Sequence, residues 1–177
     1  ASYSPSNNSI TFGEGGFQEG RGSAENSGGD WFIENVFEEF DSPNEFFWDK
    51  AVQKLYFYFN GTGAPPSNAT YEVPQLRTLF NLTAKSRWDP ITDVTIRGLT
   101  LTAARYTYMD PHGVPSAGDF ALARSAAVHL EGTERVTVAD CNFTRVDGNG
   151  LIVSGYNRNT TVASNTFSWV GDNAVVV

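Results

Sequence analysis

Residues 137–153, Thr137-Val-Ala-Asp-Cys-Asn-Phe-Thr-Arg-Val-Asp-Gly-Asn-Gly-Leu-Ile-Val153, and residues 161–177, Thr161-Val-Ala-Ser-Asn-Thr-Phe-Ser-Trp-Val-Gly-Asp-Asn-Ala-Val-Val-Val177, read as two copies of one pattern. Sliding the chain on itself by 24 places lays Val138 on Val162, Cys141 on Asn165, Phe143 on Phe167, Thr144 on Ser168, Val146 on Val170 and Asn149 on Asn173. Leu151, Ile152 and Val153 fall on Val175, Val176 and Val177. Working outward, Val94–Thr102 fits the same template, with Ile96 on Val138 and Leu101 on Phe143, and an insertion, Ala103–Ala123, separates it from the next strand.

Each period holds three β-rich pieces, for example Glu134–Val138, Cys141–Thr144 and Gly150–Ser154, with turns at Ala139-Asp140 and Asp147-Gly148-Asn149. Such units cannot bury an apolar face alone. Stacked at the spacing of paired strands, about 4.8 Å, they share ladders of Val, Ile, Leu and Phe. The expected fold is therefore all-β, a right-handed parallel β-helix over residues 71–177, the hand following from the usual chirality of parallel crossovers. A β-sandwich also gives short strands with frequent turns, but it leaves the self-match without a cause.

Residues 31–70 precede the coils. A helix is expected from Asp30, since Phe32, Ile33, Val36, Phe37 and Phe40 repeat at helical spacing and Pro43 stops the run. Glu45–Asp49 and Leu55–Phe59, joined by Lys50–Lys54, are expected to form a hairpin with heavy aromatic burial. Residues 1–30, rich in Ser, Asn and Gly without a sustained period, read as an extended arm.

With these residues laid out, the chain resembles the secreted right-handed parallel β-helix repeat proteins of pectin-lyase-like fold. The resemblance is carried by Trp31-Phe-Ile-Glu-Asn-Val-Phe-Glu-Glu-Phe-Asp-Ser-Pro-Asn-Glu-Phe-Phe-Trp-Asp49 and Leu55-Tyr-Phe-Tyr-Phe59, and it covers most of residues 17–177. Asn44 stands where Gly is usual and Phe46 where Trp is usual. Because Asn tolerates φ > 0 at the second corner of a Pro-initiated turn, the turn is expected to survive. The resemblance implies a glycoside hydrolase, or a polysaccharide-binding or adhesive protein; it speaks to the fold more than to the activity. The paired Asp, Gly-His-Gly and Arg-Ile-Lys signatures of the galacturonan hydrolase branch are not in the sequence, and the coils show no carboxylate run suited to a Ca²⁺-dependent lyase.

Composition narrows the partners. With 40% hydrophobic and 18% charged residues, the 177-residue chain can bury a core. A net charge of −8 without a Lys/Arg cluster argues against nucleic acid. No apolar run reaches the roughly 20 residues of a membrane span. Cys141 is the single cysteine, expected as a packed thiol. Asn-X-Ser/Thr triplets begin at Asn7, Asn60, Asn68, Asn81, Asn142 and Asn159, six of 14 asparagines, against about two or three expected from Ser and Thr content. A secreted N-glycoprotein is the expectation, with Asn142 and Asn159 facing solvent because each precedes a residue assigned inward.

Asp147 and Asp172 are the catalytic candidates. They occupy the same turn in adjacent coils, one place out of register, and a coil spacing near 4.8 Å suits the roughly 5–5.5 Å carboxylate pair of a retaining glycosidase. Asp-Gly-Asn and Asp-Asn are also ordinary turn formers, and Asn149 with Asn173 reads as a turn ladder. His129, outward if Val128 and Leu130 point inward, lies near Arg124 in sequence, and the two are candidate sugar ligands or plain surface residues. Tyr106 and Tyr108, in the insertion with Met109, Pro111 and His112, suit stacking on sugar rings or covering the sheet. No metal or cofactor is expected. The apolar end at Ala174–Val177 shows no polar cap, so the chain is expected either to continue with more coils or to self-associate head to tail. Two functions follow: a carbohydrate-binding or carbohydrate-cleaving domain, or a structural glycoprotein of an extracellular filament or coat.

Overall fold

The computed structural model describes residues 2–11, 34–107, 110 and 124–177. Described residues 2–11 and 72–177 belong to one compact unit and 34–71 to another. The protein is all-β, built mainly from parallel sheets.

In the larger unit, β1 (Ser2–Ser4) and β2 (Ser9–Thr11) make a short antiparallel pair within the expected N-terminal arm. Three similar passes of the chain then follow β5 (Phe80–Thr83) and β6 (Ile91–Thr92). The first pass is β7 (Thr95–Arg97), β8 (Thr100–Ala104) and β9 (Ala126–Glu134). The second is β10 (Thr137–Ala139), β11 (Asn142–Val146) and β12 (Asn149–Arg158). The third is β13 (Thr161–Ala163), β14 (Thr166–Val170) and β15 (Val175–Val176). Corresponding strands pair in parallel, giving sheets ordered β13-β10-β7, β14-β11-β8 and β15-β12-β9-β5.

The register is the one the self-match predicts. Ile96, Val138 and Val162 are aligned partners, as are Leu101, Phe143 and Phe167. The Phe143 and Phe167 rings stack with centroids 4.5 Å apart and planes 17° from parallel. Val128, Leu130, Val136, Val138, Phe143 and Leu151 are fully buried and belong to one apolar cluster. Cys141 is packed there as expected.

The corners are built by backbone handedness. Nine residues with φ between 52° and 68° stack in three ladders: Asp93, Arg135 and Asn159; Gly98, Asp140 and Ser164; Ala103, Arg145 and Trp169. At these positions the chain must turn without abandoning its interstrand hydrogen bonds. Asp93 N–H donates to the Glu134 carbonyl and Arg135 N–H to the Arg158 carbonyl; Gly98 and Asp140 likewise donate to Ala139 and Ala163. The left-handed residue corrects one expected strand: Glu134–Val138 is not continuous, because Arg135 turns the chain between β9 and β10. The third piece is also longer than Gly150–Ser154, since β12 runs through an irregularity to Arg158.

Asparagines occupy a second set of corners. Asn149, Asn157, Asn165 and Asn173 recur at every eighth position. Asn149 Nδ2 donates to the Ser125 carbonyl, and its Oδ1 accepts from both the backbone and side-chain nitrogens of Asn173. Asn157 Oδ1 accepts from Thr133 Oγ1 at 2.7 Å, and Asn165 Oδ1 from Cys141 N–H at 2.9 Å. The amides of Asn149, Asn157 and Asn165 each satisfy backbone groups that the bend would otherwise strand, and that of Asn173 bonds to Asn149. The expected turn ladder of Asn149 and Asn173 is thus present, with counterparts at the other corners.

In the smaller unit, β3 (Phe46–Asp49) and β4 (Lys54–Phe57) form the expected antiparallel hairpin. The Ser42–Glu45 turn survives the Gly-to-Asn departure: Asn44 sits at φ 72°, and Glu45 N–H donates to the Ser42 carbonyl. Two expectations are corrected. Over 34–40 the anticipated helix is only a 3₁₀ turn, Phe37–Glu39. Asn35, at φ 57°, instead exchanges two hydrogen bonds with the Trp48 backbone, and Val36 is extended. The hairpin aromatics are also not heavily buried. Strand alternation places Phe47 and Tyr56 against Phe37, while Phe46 and Phe57 are exposed.

Candidate functional site

Asp147 and Asp172 lie where the sequence put them, in the turns that precede β12 and β15 and one place out of register. Gly171 therefore sits over Asp147, and the Asp172 N–H donates to the Gly148 carbonyl. Both side chains are exposed. Asp147 Oδ1 rests so close to the Gly171 α-carbon that any side chain there would collide with it. Asp172 Oδ1 accepts from Asn173 Nδ2 at 2.8 Å. Asp172 thus serves its own turn, while the Asp147 carboxylate is exposed beside Gly171 of the next pass.

His129 projects from β9 between Val128 and Leu130, which are fully buried, so its outward direction agrees with the alternation. Its Nε2 lies 3.3 Å from Glu131 Oε2. Arg124 is exposed, and no hydrogen bond or ion pair joins it to His129 among the described residues. Tyr106 is 45% exposed with the Arg105 guanidinium 5.6 Å from its ring centre. Tyr108, Met109, Pro111 and His112 lie outside the described residues.

All six sequon asparagines, Asn7, Asn60, Asn68, Asn81, Asn142 and Asn159, are exposed. In two of them the hydroxyl of the third triplet residue donates to the asparagine carbonyl oxygen: Ser9 to Asn7 at 2.7 Å and Thr83 to Asn81 at 2.6 Å. Asn142 alternates with the fully buried Phe143.

A group that the sequence reading passed over comes together at the far end of β9 and β12. The chain leaves β5, turns at Ser86–Asp89, and returns through Pro90 to β6, which pairs with Thr133 and Glu134. The turn is closed twice, by Asp89 N–H on the Ser86 carbonyl and by Trp88 N–H on Ser86 Oγ, both at 3.1 Å. It holds Trp88 82% exposed, with the Arg87 guanidinium 4.5 Å from the indole centre. Arg87, Trp88, Pro90, Glu134 and Tyr156 line an open cavity of about 430 Å³.

Glu134 is fixed from two sides. The Tyr156 hydroxyl donates to its Oε1 in a short hydrogen bond, and Arg135 Nη1 approaches its Oε2 at 3.2 Å. Donating that bond leaves the phenol harder to ionise, so the Tyr156 pKa is raised. Behind it, Arg135 grips Asp93 with two hydrogen bonds of 2.7 and 2.9 Å, which hold the Asp93 carboxyl at about 2. The residues of this group come from three separate segments. Its one sequence signal is Trp88 standing in a short Ser-Arg-Trp-Asp-Pro turn, where an apolar side chain has little to pack against.

Among the described residues no His, Cys, Asp and Glu cluster could hold a metal ion, and no helix is long and apolar enough to cross a membrane. No family model matches the chain, and comparison with curated proteins and solved structures finds no match either.

Proposed function

We propose that the chain is a right-handed parallel β-helix domain of a secreted, N-glycosylated protein that binds extracellular polysaccharide. One observation carries the reading: three parallel sheets in which every pass of the chain repeats the last in register. This arrangement is compatible with the pectin-lyase-like resemblance, which implies a glycoside hydrolase or a polysaccharide-binding or adhesive protein. The six exposed acceptor asparagines support the secreted, glycosylated part of the reading. Binding is favoured over cleavage because one carboxylate of the pair, Asp172, already holds Asn173 Nδ2 in its own turn.

The test uses the intact chain made in a secretory eukaryotic host. Mass analysis is expected to find glycans on Asn142 and Asn159. Affinity electrophoresis through gels containing xylan, mannan, β-glucan, chitin or pectate is expected to retard the protein in at least one. Unmodified asparagines together with unretarded migration in every gel would overturn the proposal and favour a structural rod.

A further inference from the structure

The geometry points to a saccharide-binding site in the cavity walled by Arg87, Trp88, Pro90, Glu134 and Tyr156, one that takes an uncharged pyranose unit of a polysaccharide. This assignment rests on the polysaccharide reading above and adds where the sugar sits and which kind it is.

Trp88 motivates the assignment. A tryptophan 82% exposed contributes little to a core, yet this one is held out by two hydrogen bonds across a four-residue turn. Because the turn's backbone is already fixed, little main-chain freedom is lost when something stacks on the indole. A pyranose offers the matching surface: one face of C–H groups that leaves water readily for an indole, and a rim of hydroxyls that must keep hydrogen bonds. The other lining residues supply those. Glu134 and the Tyr156 oxygen, whose proton is held by Glu134, accept, and Arg87 beside the indole donates. Glu134 is already oriented by Tyr156 and Arg135, so its carboxylate does not have to be ordered by the ligand. A volume of about 430 Å³ falls within the roughly 300–1,000 Å³ usual for small-ligand sites.

Charge selects among saccharides. The walls carry one guanidinium and one carboxylate, which balance, and the chain as a whole is at −8. An acidic polymer would meet Glu134 at the site and the net negative field on approach. A neutral sugar is repelled by neither.

Trp169 provides the control. It is 84% exposed on β14 and does not line this cavity. Intrinsic fluorescence and calorimetric titration of the intact glycosylated chain would use cellohexaose, xylohexaose, mannohexaose and hexagalacturonate as probes. The expected result is binding of at least one neutral hexasaccharide, weakened about tenfold or more by Trp88→Ala and several-fold by Glu134→Gln. Trp169→Ala should leave it within about twofold, with thermal unfolding of all three variants close to that of the parent. Parent binding that Trp88→Ala leaves within about twofold would remove the site while sparing the polysaccharide reading. Tighter binding of hexagalacturonate than of every neutral probe would overturn the uncharged specificity. Absence of binding to all four probes, with every gel above also unretarded, would overturn site and reading together.

Discussion

The second and third passes of the parallel sheets share a backbone, a register and a set of left-handed corners, yet they differ in burial. Val138 is fully buried while Val162 is 38% exposed; Phe143 is fully buried while Phe167, stacked on it, is only partly covered. The difference is position in the stack. Among the described residues β10 and β11 have a paired strand on both sides, whereas β13 and β14 have one on a single side. Local conformation at each corner is therefore set by the chain's own pattern, and burial is set by the neighbouring passes.

Truncating the stacked phenylalanines tests this most directly. Phe143→Ala should cost about 3–5 kcal/mol in urea unfolding, the range for emptying a closed aromatic site, and Phe167→Ala clearly less, about 1–3 kcal/mol. Equal losses would break the comparison, because they would mean that the third pass is covered as fully as the second.

A smaller contrast is expected in the asparagine ladder. Asn149 is buried and holds groups in the passes on both sides of it, so Asn149→Ala should cost about 1–3 kcal/mol by leaving the Ser125 carbonyl and Asn173 N–H without their partner. Asn173→Ala, at an exposed position, is expected to change stability by less than about 1 kcal/mol. Denaturant midpoints of the two variants decide it.

The smallest effect concerns the first corner. Asp93, held at about 2 by Arg135 against an ordinary 3.8, has a depressed folded pKa. Its contribution is present above 3.8 and is lost as pH falls through about 2. Carboxyl chemical-shift titration should place the Asp93 midpoint near 2, and Arg135→Gln should return it toward the usual carboxylate range. The stability change itself should be slight, because both partners are solvent-exposed.

These contrasts also explain what could be read in the sequence. The 24-residue register was legible because aliphatic and aromatic residues recur at core-facing positions, where burial restricts the choice. The eight-residue spacing of Asn149, Asn157, Asn165 and Asn173 was harder to see, since Ala126, Thr133 and Cys141 hold the same corners one pass earlier. Of the left-handed ladders only the turn at Ala139-Asp140 was legible. Ala103, Arg145 and Trp169 share a backbone conformation and no chemistry. The hairpin was read correctly as a pair of strands but not in its burial, because aromatic residues announce strand propensity and not what covers them. Asp147, Asp172 and His129 lie where spacing put them; the Trp88 cavity could not be foreseen, because residues 87–90, 134 and 156 meet only once β6, β9 and β12 are side by side.

The 42-residue step from Asp93 to Arg135, against the 24-residue step from Thr133 to Asn157, has a practical meaning. Nineteen surplus residues enter between β8 and β9, one of them offset by the irregularity in β12, yet β7 with β10 and β8 with β11 keep the register of the uninterrupted passes. That corner is a natural splice point. Foreign peptides of similar length grafted between Ala104 and Ala126 would be displayed from the edge of the stack without disturbing its phase, which makes the chain a scaffold whose loops and core can be rewritten separately.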